Sequence, residues 1–399
     1  MRKLTADYVF PISQLPVKNG IVIVDNNGLV LENVIDPDIL DYSIPDVETY
    51  TGFICPGFIN SHCHLELSYL KGKMSEHAGL DKFIIELEQI RKGIKDDEKT
   101  VAILNAEDEM MHNGIVAVAD ISNNSSTFKI KNNSKLYYHT FIESFASDPL
   151  KAEKVYEKTL ALFSEIRRNE NNNHASITPH ASYSLSKNLF RKIYDFAVST
   201  GNIISIHHQE SEEENIFFLT NNGNIKEMHF LFGVEQSEFC NTGLRPLASI
   251  VDYIPKNNPL QLVHNTATTD TDIDFATANF KNLYWCFCPN TNLFIEQRLP
   301  NFALFYNKKC KITVGTDSLA SNNFLSILAE IITIMANVPY VPLHELLKWS
   351  TLNGAEFLQI GDKFGSIEKG KIPGIMLLEN VNFEKMQLTR GTTVRTLVN

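Results

Sequence analysis

Apolar residues along this chain gather in short runs that alternate with longer stretches in which apolar positions recur every three or four residues. The runs are GFICPGFI (52–59), GIVAVAD (114–120), LYYHTFI (136–142), HASITP (174–179), NIISIH (202–207), LQLVHN (260–265), LYWCFC (283–288) and KITVGT (311–316). Their length and β-branched content predict buried strands. LDKFIIELEQIRKGI (80–94), VYEKTLALFSEIRR (155–168), KNLFRKIYDFAVST (187–200) and SILAEIITIMANV (326–338) carry the period of helices that lay one face on a sheet. Strand then helix, repeated, predicts an α/β fold with a parallel sheet, and eight strands predict a closed (β/α)8 TIM barrel.

The two ends of the chain depart from that alternation. VKNGIVIVDNNGLVLENVI reads as a hairpin whose Asp25-Asn26-Asn27-Gly28 loop favours positive φ near its end. FGSIEKGKIPGIMLLENV, near the other terminus, begins with turn residues and continues in short apolar runs. The expectation is a small β-sandwich-like domain built from residues 1–52 and 365–399 beside a barrel over residues 53–364. The polar patch NNSSTFKIKNNS (123–134) reads as a loop.

Composition narrows the class. A chain of 399 residues with 43% hydrophobic content accommodates one barrel of about 300 residues and a smaller module. No apolar run reaches the roughly 20 residues that span a membrane, and MRKLTADYVFPIS lacks the hydrophobic core of a signal peptide. A cytoplasmic protein without membrane partners is expected. Six cysteines make no disulfide framework in a chain this long, and Cys55, Cys63, Cys240 and Cys310 suit a reducing compartment. The net charge of −11 argues against a nucleic-acid surface and favours a small uncharged or cationic ligand. A homo-oligomer is compatible with a barrel of this size, but no feature sets the state.

The candidate chemistry lies where the strand-like runs end. Side chains alternate along a strand, so His62 and His64 of CPGFINSHCHLE can point the same way and chelate one ion. His180, His207, Glu210, His264 and Asp317 follow at the ends of later runs, and a barrel brings the carboxyl ends of all its strands to one face. Each alone could be an ordinary polar residue at a strand end. Together, His62, His64, His207 and Asp317 offer three imidazoles and a carboxylate to one divalent ion, zinc first and iron(II) second, with a position left for water. Glu210 lies three residues past His207 and could shuttle a proton to a substrate nitrogen, a reading preferred to that of a solvated acid beside Glu212, Glu213 and Glu214. His264 is read as an electrostatic partner or relay and His180 as a substrate contact. His208 should face away from the site. Cys286 and Cys288 share one face and read as core, and His77, His112, His139, His174, His229 and His344 have no partner pattern.

With these pieces in place, the chain resembles the amidohydrolase superfamily, in particular its single-metal branch of chlorohydrolases and of cytosine, guanine and adenosine-type deaminases. The matching elements are PGFINSHCHLE, TPHASYS, HHQE, VHN, CPNTN, GTDSLASNN and FGSIEKGK, in order over nearly the whole chain. The resemblance implies His62, His64, His207 and Asp317 as metal ligands, Glu210 and His264 as the catalytic pair with Asp317 receiving a proton, and His180 as a substrate contact. His180 stands where two-metal relatives carry a bridging Lys, which implies one ion. Two departures are Pro373-Gly374 where relatives continue with Ala-Asp, and Thr291 where Ser is commoner.

The implied activity is hydrolytic deamination of an aminated heterocycle, a purine nucleoside such as aminodeoxyfutalosine, adenosine or S-adenosylhomocysteine. The alternatives are hydrolysis of an amide, amidine or carbon–halogen bond, and a catalytically silent scaffold, against which the complete ligand set argues. Glu66, in HxHLE, is read as a substrate contact or as an acid orienting His64. Arg245, in NTGLRPL, is read as a residue of the pocket rim or an exposed loop cation.

Overall fold

The computed structural model describes residues 1–168, 174–235 and 237–399. At the amino terminus lie strands β1 (Arg2–Val9), β2 (Val17–Lys18), β3 (Ile21–Val24), β4 (Val30–Ile35) and β5 (Glu48–Pro56). Next come β6 (Phe58–Cys63), β7 (Ile115–Ser122), β8 (Tyr137–Ser144), β9 (His174–Pro179), β10 (Ile204–His208), β11 (Leu260–His264), β12 (Leu283–Phe287) and β13 (Ile312–Val314). Strands β14 (Ile375–Glu379) and β15 (Thr393–Val398) follow at the carboxyl end.

Strands β6 to β9 form one four-stranded parallel sheet in sequence order, and β10 to β13 form another. Isolated parallel bridges join the two along both seams, Ala181 with His207 and Cys63 with Asp317. This is an arrangement consistent with a (β/α)8 barrel. The seams run through candidate ligands. The His207 N–H donates to the His180 carbonyl at 2.8 Å, and the Asp317 N–H donates to the His62 carbonyl at 3.0 Å. Close approach at the second seam needs Gly315, where a Cβ would sit 2.7 Å from His62 Cβ and 2.8 Å from its carbonyl oxygen.

The predicted helices form where their caps and apolar faces direct. Over Lys187–Thr200, the Ser186 side chain accepts the Leu189 N–H, Gly201 ends the helix at φ 70°, and Leu189, Phe190, Ile193 and Ala197 are buried. The other three helices lie over Leu80–Ile90, Ala152–Arg167 and Ile327–Asn337. Among the described residues no helix is long and apolar enough to cross a membrane.

Three expectations need adjustment. The first predicted strand, 52–59, is two elements: β5 pairs with β1 and β14 in the terminal sheet, while β6 opens the barrel sheet. The break falls at Gly57, where a Cβ would lie 2.4 Å from Val116 Cγ1, so a continuous apolar run hides a change of sheet. The terminal strands pair as one seven-stranded sheet in the order β15-β14-β5-β1-β3-β4, with β2 beside β1, and not as two separate sheets. The patch 123–134 is not all loop. A helix spans Phe128–Asn133, and its Lys131 turns inward to a buried carboxylate that local polarity could not reveal.

Candidate metal centre and active site

His62 lies on β6, and His64 follows at the entrance to a short 3-10 helix, Leu65–Leu70. His207 comes from β10, His264 from the last position of β11, and Asp317 from the turn after β13. Positive φ at His264 (75°) and Asp317 (57°) bends the chain sharply where it leaves the sheet, aiming both side chains over the strand ends. All five are buried.

Three imidazoles converge through the same atom type. His64 Nε2 lies 3.2 Å from His62 Nε2 and 3.3 Å from His207 Nε2, and Asp317 Oδ1 lies 3.6 Å from His64 Nε2 and 3.9 Å from His62 Nε2. The protons of two rings are accounted for elsewhere. His207 Nδ1 is 3.0 Å from the His180 carbonyl, to which it donates, and His264 Nδ1 donates to Asn292 Oδ1 at 2.9 Å. Both rings therefore turn an Nε2 lone pair inward. Burial, reinforced by the neighbouring imidazoles, holds His62 and His64 well below the usual histidine range and brings His207 to about 3, so these rings are neutral at physiological pH.

Facing lone pairs repel unless a cation sits among them. A tetrahedral ion bound at about 2.0–2.1 Å sets its nitrogen ligands about 3.3–3.4 Å apart, close to the observed spacing. The donor set thus fits a divalent ion. His62, His64 and His207, and likewise His62, His264 and Asp317, form groups able to hold one.

Glu210, past the end of β10, lies 3.7 Å from His264 Nε2 through Oε1, and its backbone N–H donates to Glu214 Oε1 at 2.8 Å. Burial, with Asp317 adding like charge, pushes the Glu210 carboxyl well above the usual range. Among the described residues, His264 Nε2 has no hydrogen-bond partner. His180 packs against His207 with centroids 4.7 Å apart and the rings tilted by 33°, and its Nδ1 is 2.9 Å from Ser184 Oγ. His64, His180, His207, Glu210 and Asp317 all line one cavity of about 400 Å³.

The remaining expected residues lie apart. Glu66 is buried with both carboxylate oxygens 3.1 Å from the Asn123 N–H, outside the lining of this cavity. Arg245 is not brought to the cavity at all. Its guanidinium grips Asp272 at 2.9 and 2.5 Å, at the start of the helix Asp270–Asn279. His208 bonds Asn265 Oδ1 on the far side of its strand, and Cys286 and Cys288 pack in the core with Val263.

Sequence reading missed Glu143 and Asp120. Glu143 lies near the end of β8, with Oε1 3.5 Å from His207 Nδ1. Asp120 Oδ1 accepts the N–H of Leu65 at 2.8 Å, immediately after His64. Both are acids inside apolar runs near strand ends, a signal visible in IVAVAD and HTFIES. His229, taken as partnerless, also lines the cavity.

Comparison with known proteins adds the lineage. A model of the amidohydrolase family matches residues 53–395. The chain is 25% identical over 325 residues to an adenosine deaminase of Helicobacter pylori, covering 80% of this chain and 76% of that one. It is 24% identical over 359 residues to a 5-methylthioadenosine/S-adenosylhomocysteine deaminase of Teredinibacter turnerae, covering 85% and 74%. The fold is shared with the crystal structure of Helicobacter pylori aminofutalosine deaminase in complex with methylthio-coformycin, at a TM-score of 0.84 and 22% identity over 100% of this chain and 98% of that one.

Proposed function

The chain belongs to the amidohydrolase family, and from that premise we propose that it is a metal-dependent hydrolytic deaminase of a purine nucleoside. The observation that carries this reading is the meeting of three imidazole Nε2 atoms and the Asp317 carboxylate beside a buried Glu210. Relatives named as adenosine and methylthioadenosine/S-adenosylhomocysteine deaminases support it. His62, His64, His207 and Asp317 would hold the ion, zinc before iron(II), and the ion would supply the acidity that makes water nucleophilic at neutral pH.

The chain's own residues do the rest. Burial disfavours charge on Glu210 and so favours its protonated form, from which it can give a proton to the ring nitrogen beside the amino-bearing carbon as a water oxygen bonds to that carbon. Asp317 takes the proton that water loses and passes it to the amine. The carbon–nitrogen bond then breaks, ammonia departs, and the proton of the added hydroxyl returns to Glu210 as the carbonyl forms. His264, with its free Nε2, hydrogen-bonds the added oxygen, while His180 and the cavity wall orient the ring.

The reading also divides the chain into a small β-domain, residues 1–52 and 365–399, and a barrel over residues 53–364, tied by β5 where it crosses that line. Six free cysteines fit a reducing, cytoplasmic setting. The test is ammonia release from adenosine, 5′-deoxyadenosine, methylthioadenosine and S-adenosylhomocysteine. At least one should be deaminated, and metal chelation should stop the reaction. Hydrolysis of an amide or carbon–halogen substrate with no ring deamination would overturn the proposal.

A further inference from the structure

Three consecutive acids, Glu212, Glu213 and Glu214, open the helix Glu212–Thr220, and only the third turns inward. Glu212 and Glu213 reach solvent, whereas Glu214 is 0% exposed. Its carboxyl has a partner in each of two motif loops. Oε1 accepts the Glu210 N–H at 2.8 Å, and Oε2 accepts the Ser182 hydroxyl at 3.2 Å. Glu210 is the acid of the proposed reaction, and Ser182 stands two residues past His180 in TPHASYS. One buried side chain therefore ties the turn after β10 to the turn after β9, beside the seam closed by the His207 N–H and the His180 carbonyl.

The turn that carries Glu210 needs such a tie. Gln209, just before it, stands at φ 43°, a conformation unfavourable to any residue with a Cβ. The Gln209 side chain is anchored to Asn215 and Thr268, each at 2.8 Å, which leaves Glu214 to fix the Glu210 side of the turn. Ser211 caps the helix by accepting the Glu213 N–H at 3.3 Å. In a capping box the acid three residues past the cap accepts the N–H of the cap residue itself. Glu214 holds that position and reaches one residue further back, to Glu210. A buried N–H left unpaired is costly, so this bond sets where the Glu210 backbone lies and hence where its carboxyl points. Glu214 is not part of the cavity wall, so it acts only through its neighbours.

We propose that Glu214 is a positioning residue for proton transfer: through the Glu210 N–H and the Ser182 hydroxyl it holds the Glu210 carboxyl and the His180 loop in register beside the imidazole cluster. This rests on the deaminase reading and adds to it the group that aims its acid.

The experiment follows ammonia release from whichever of adenosine, 5′-deoxyadenosine, methylthioadenosine and S-adenosylhomocysteine turns over fastest, with zinc content and Tm measured alongside. Glu214→Ala should lower kcat by about 100-fold, the effect of misplacing a catalytic group by about 1 Å, while KM moves by less than about threefold and zinc content holds. Glu214→Asp keeps the carboxyl but stops short of the Glu210 N–H, so it should lose as much, and it decides the matter even where the Ala variant does not fold. Glu214→Gln keeps an oxygen for that N–H. Burial pushes the Glu214 carboxyl up to about 8 and so favours the uncharged form that Gln resembles, and this variant should keep most of the activity. In the Glu210→Gln background, Glu214→Ala should lower kcat no further, because no acid is left to aim. Undiminished kcat in Glu214→Asp, a Gln variant as impaired as the Asp one, or losses that multiply in the double variant would overturn the inference while sparing the deaminase reading. Ammonia released by the unaltered chain from none of the four nucleosides would remove that reading and this inference with it.

Discussion

Replacing Lys131 by Met isolates the buried scaffold behind His64. The Lys131 ammonium sits 2.5 Å from Asp120 Oδ2, both side chains are inaccessible to solvent, and Ser122 Oγ and Thr140 Oγ1 complete its contacts at 3.0 and 3.1 Å. On its other oxygen, Asp120 holds the N–H that follows His64. Met fills the space and removes the charge, leaving a carboxylate buried without its partner, at a cost of about 3–5 kcal/mol. Unfolding entropy of about 2.1 cal/mol/K per residue, taken over 399 residues, makes this a fall in Tm of roughly 4–6 °C. Loosening the turn after His64 should also weaken metal binding by about 10- to 100-fold. The double variant Asp120→Asn, Lys131→Met removes both charges but keeps an oxygen for the Leu65 N–H, so it should recover most of both losses. Thermal unfolding and zinc competition against a chelator read the two effects. Unchanged Tm and zinc affinity in the single variant, or a double variant worse than the single, would refute the reasoning.

Glu210→Gln keeps shape but cannot deliver a proton, so kcat should drop by about 10²–10⁴-fold with metal content intact; retention of a tenth of the activity would rule Glu210 out as the acid. Arg245→Ala should cost about 1–2 kcal/mol by freeing Asp272, seen as lower Tm, while KM stays put; a large rise in KM would restore the rim role expected from sequence. Burial raises the Glu330 carboxyl to about 8 from an ordinary value near 4.5, so between those pH values the folded chain binds more protons than the unfolded one. Stability should therefore decline as pH rises through that window and level off above 8, and Glu330→Gln, which cannot ionise, should show a flatter Tm profile from pH 5 to 9.

The strand ends were legible because period-two alternation and β-branched runs are local, and a parallel barrel turns local strand ends into one shared face. That rule alone brings His62, His64, His207, His264 and Asp317 together from stretches as distant as β6 and β13. What escaped depends on contacts remote in sequence. Gly57 divides β5 from β6 because Val116 crowds it, and nothing in GFICPGFI marks the change of sheet. Lys131 looks like a loop cation until Asp120 is placed beside it. Arg245 looked like a rim cation because its acid, Asp272, lies 27 residues on.

Anomalous diffraction at the zinc edge, from crystals grown with zinc, addresses the metal centre itself. One peak per chain is predicted, within about 2.0–2.2 Å of Nε2 of His62, His64 and His207 and of an Asp317 oxygen. An empty centre, or a peak held by other side chains, would contradict the account.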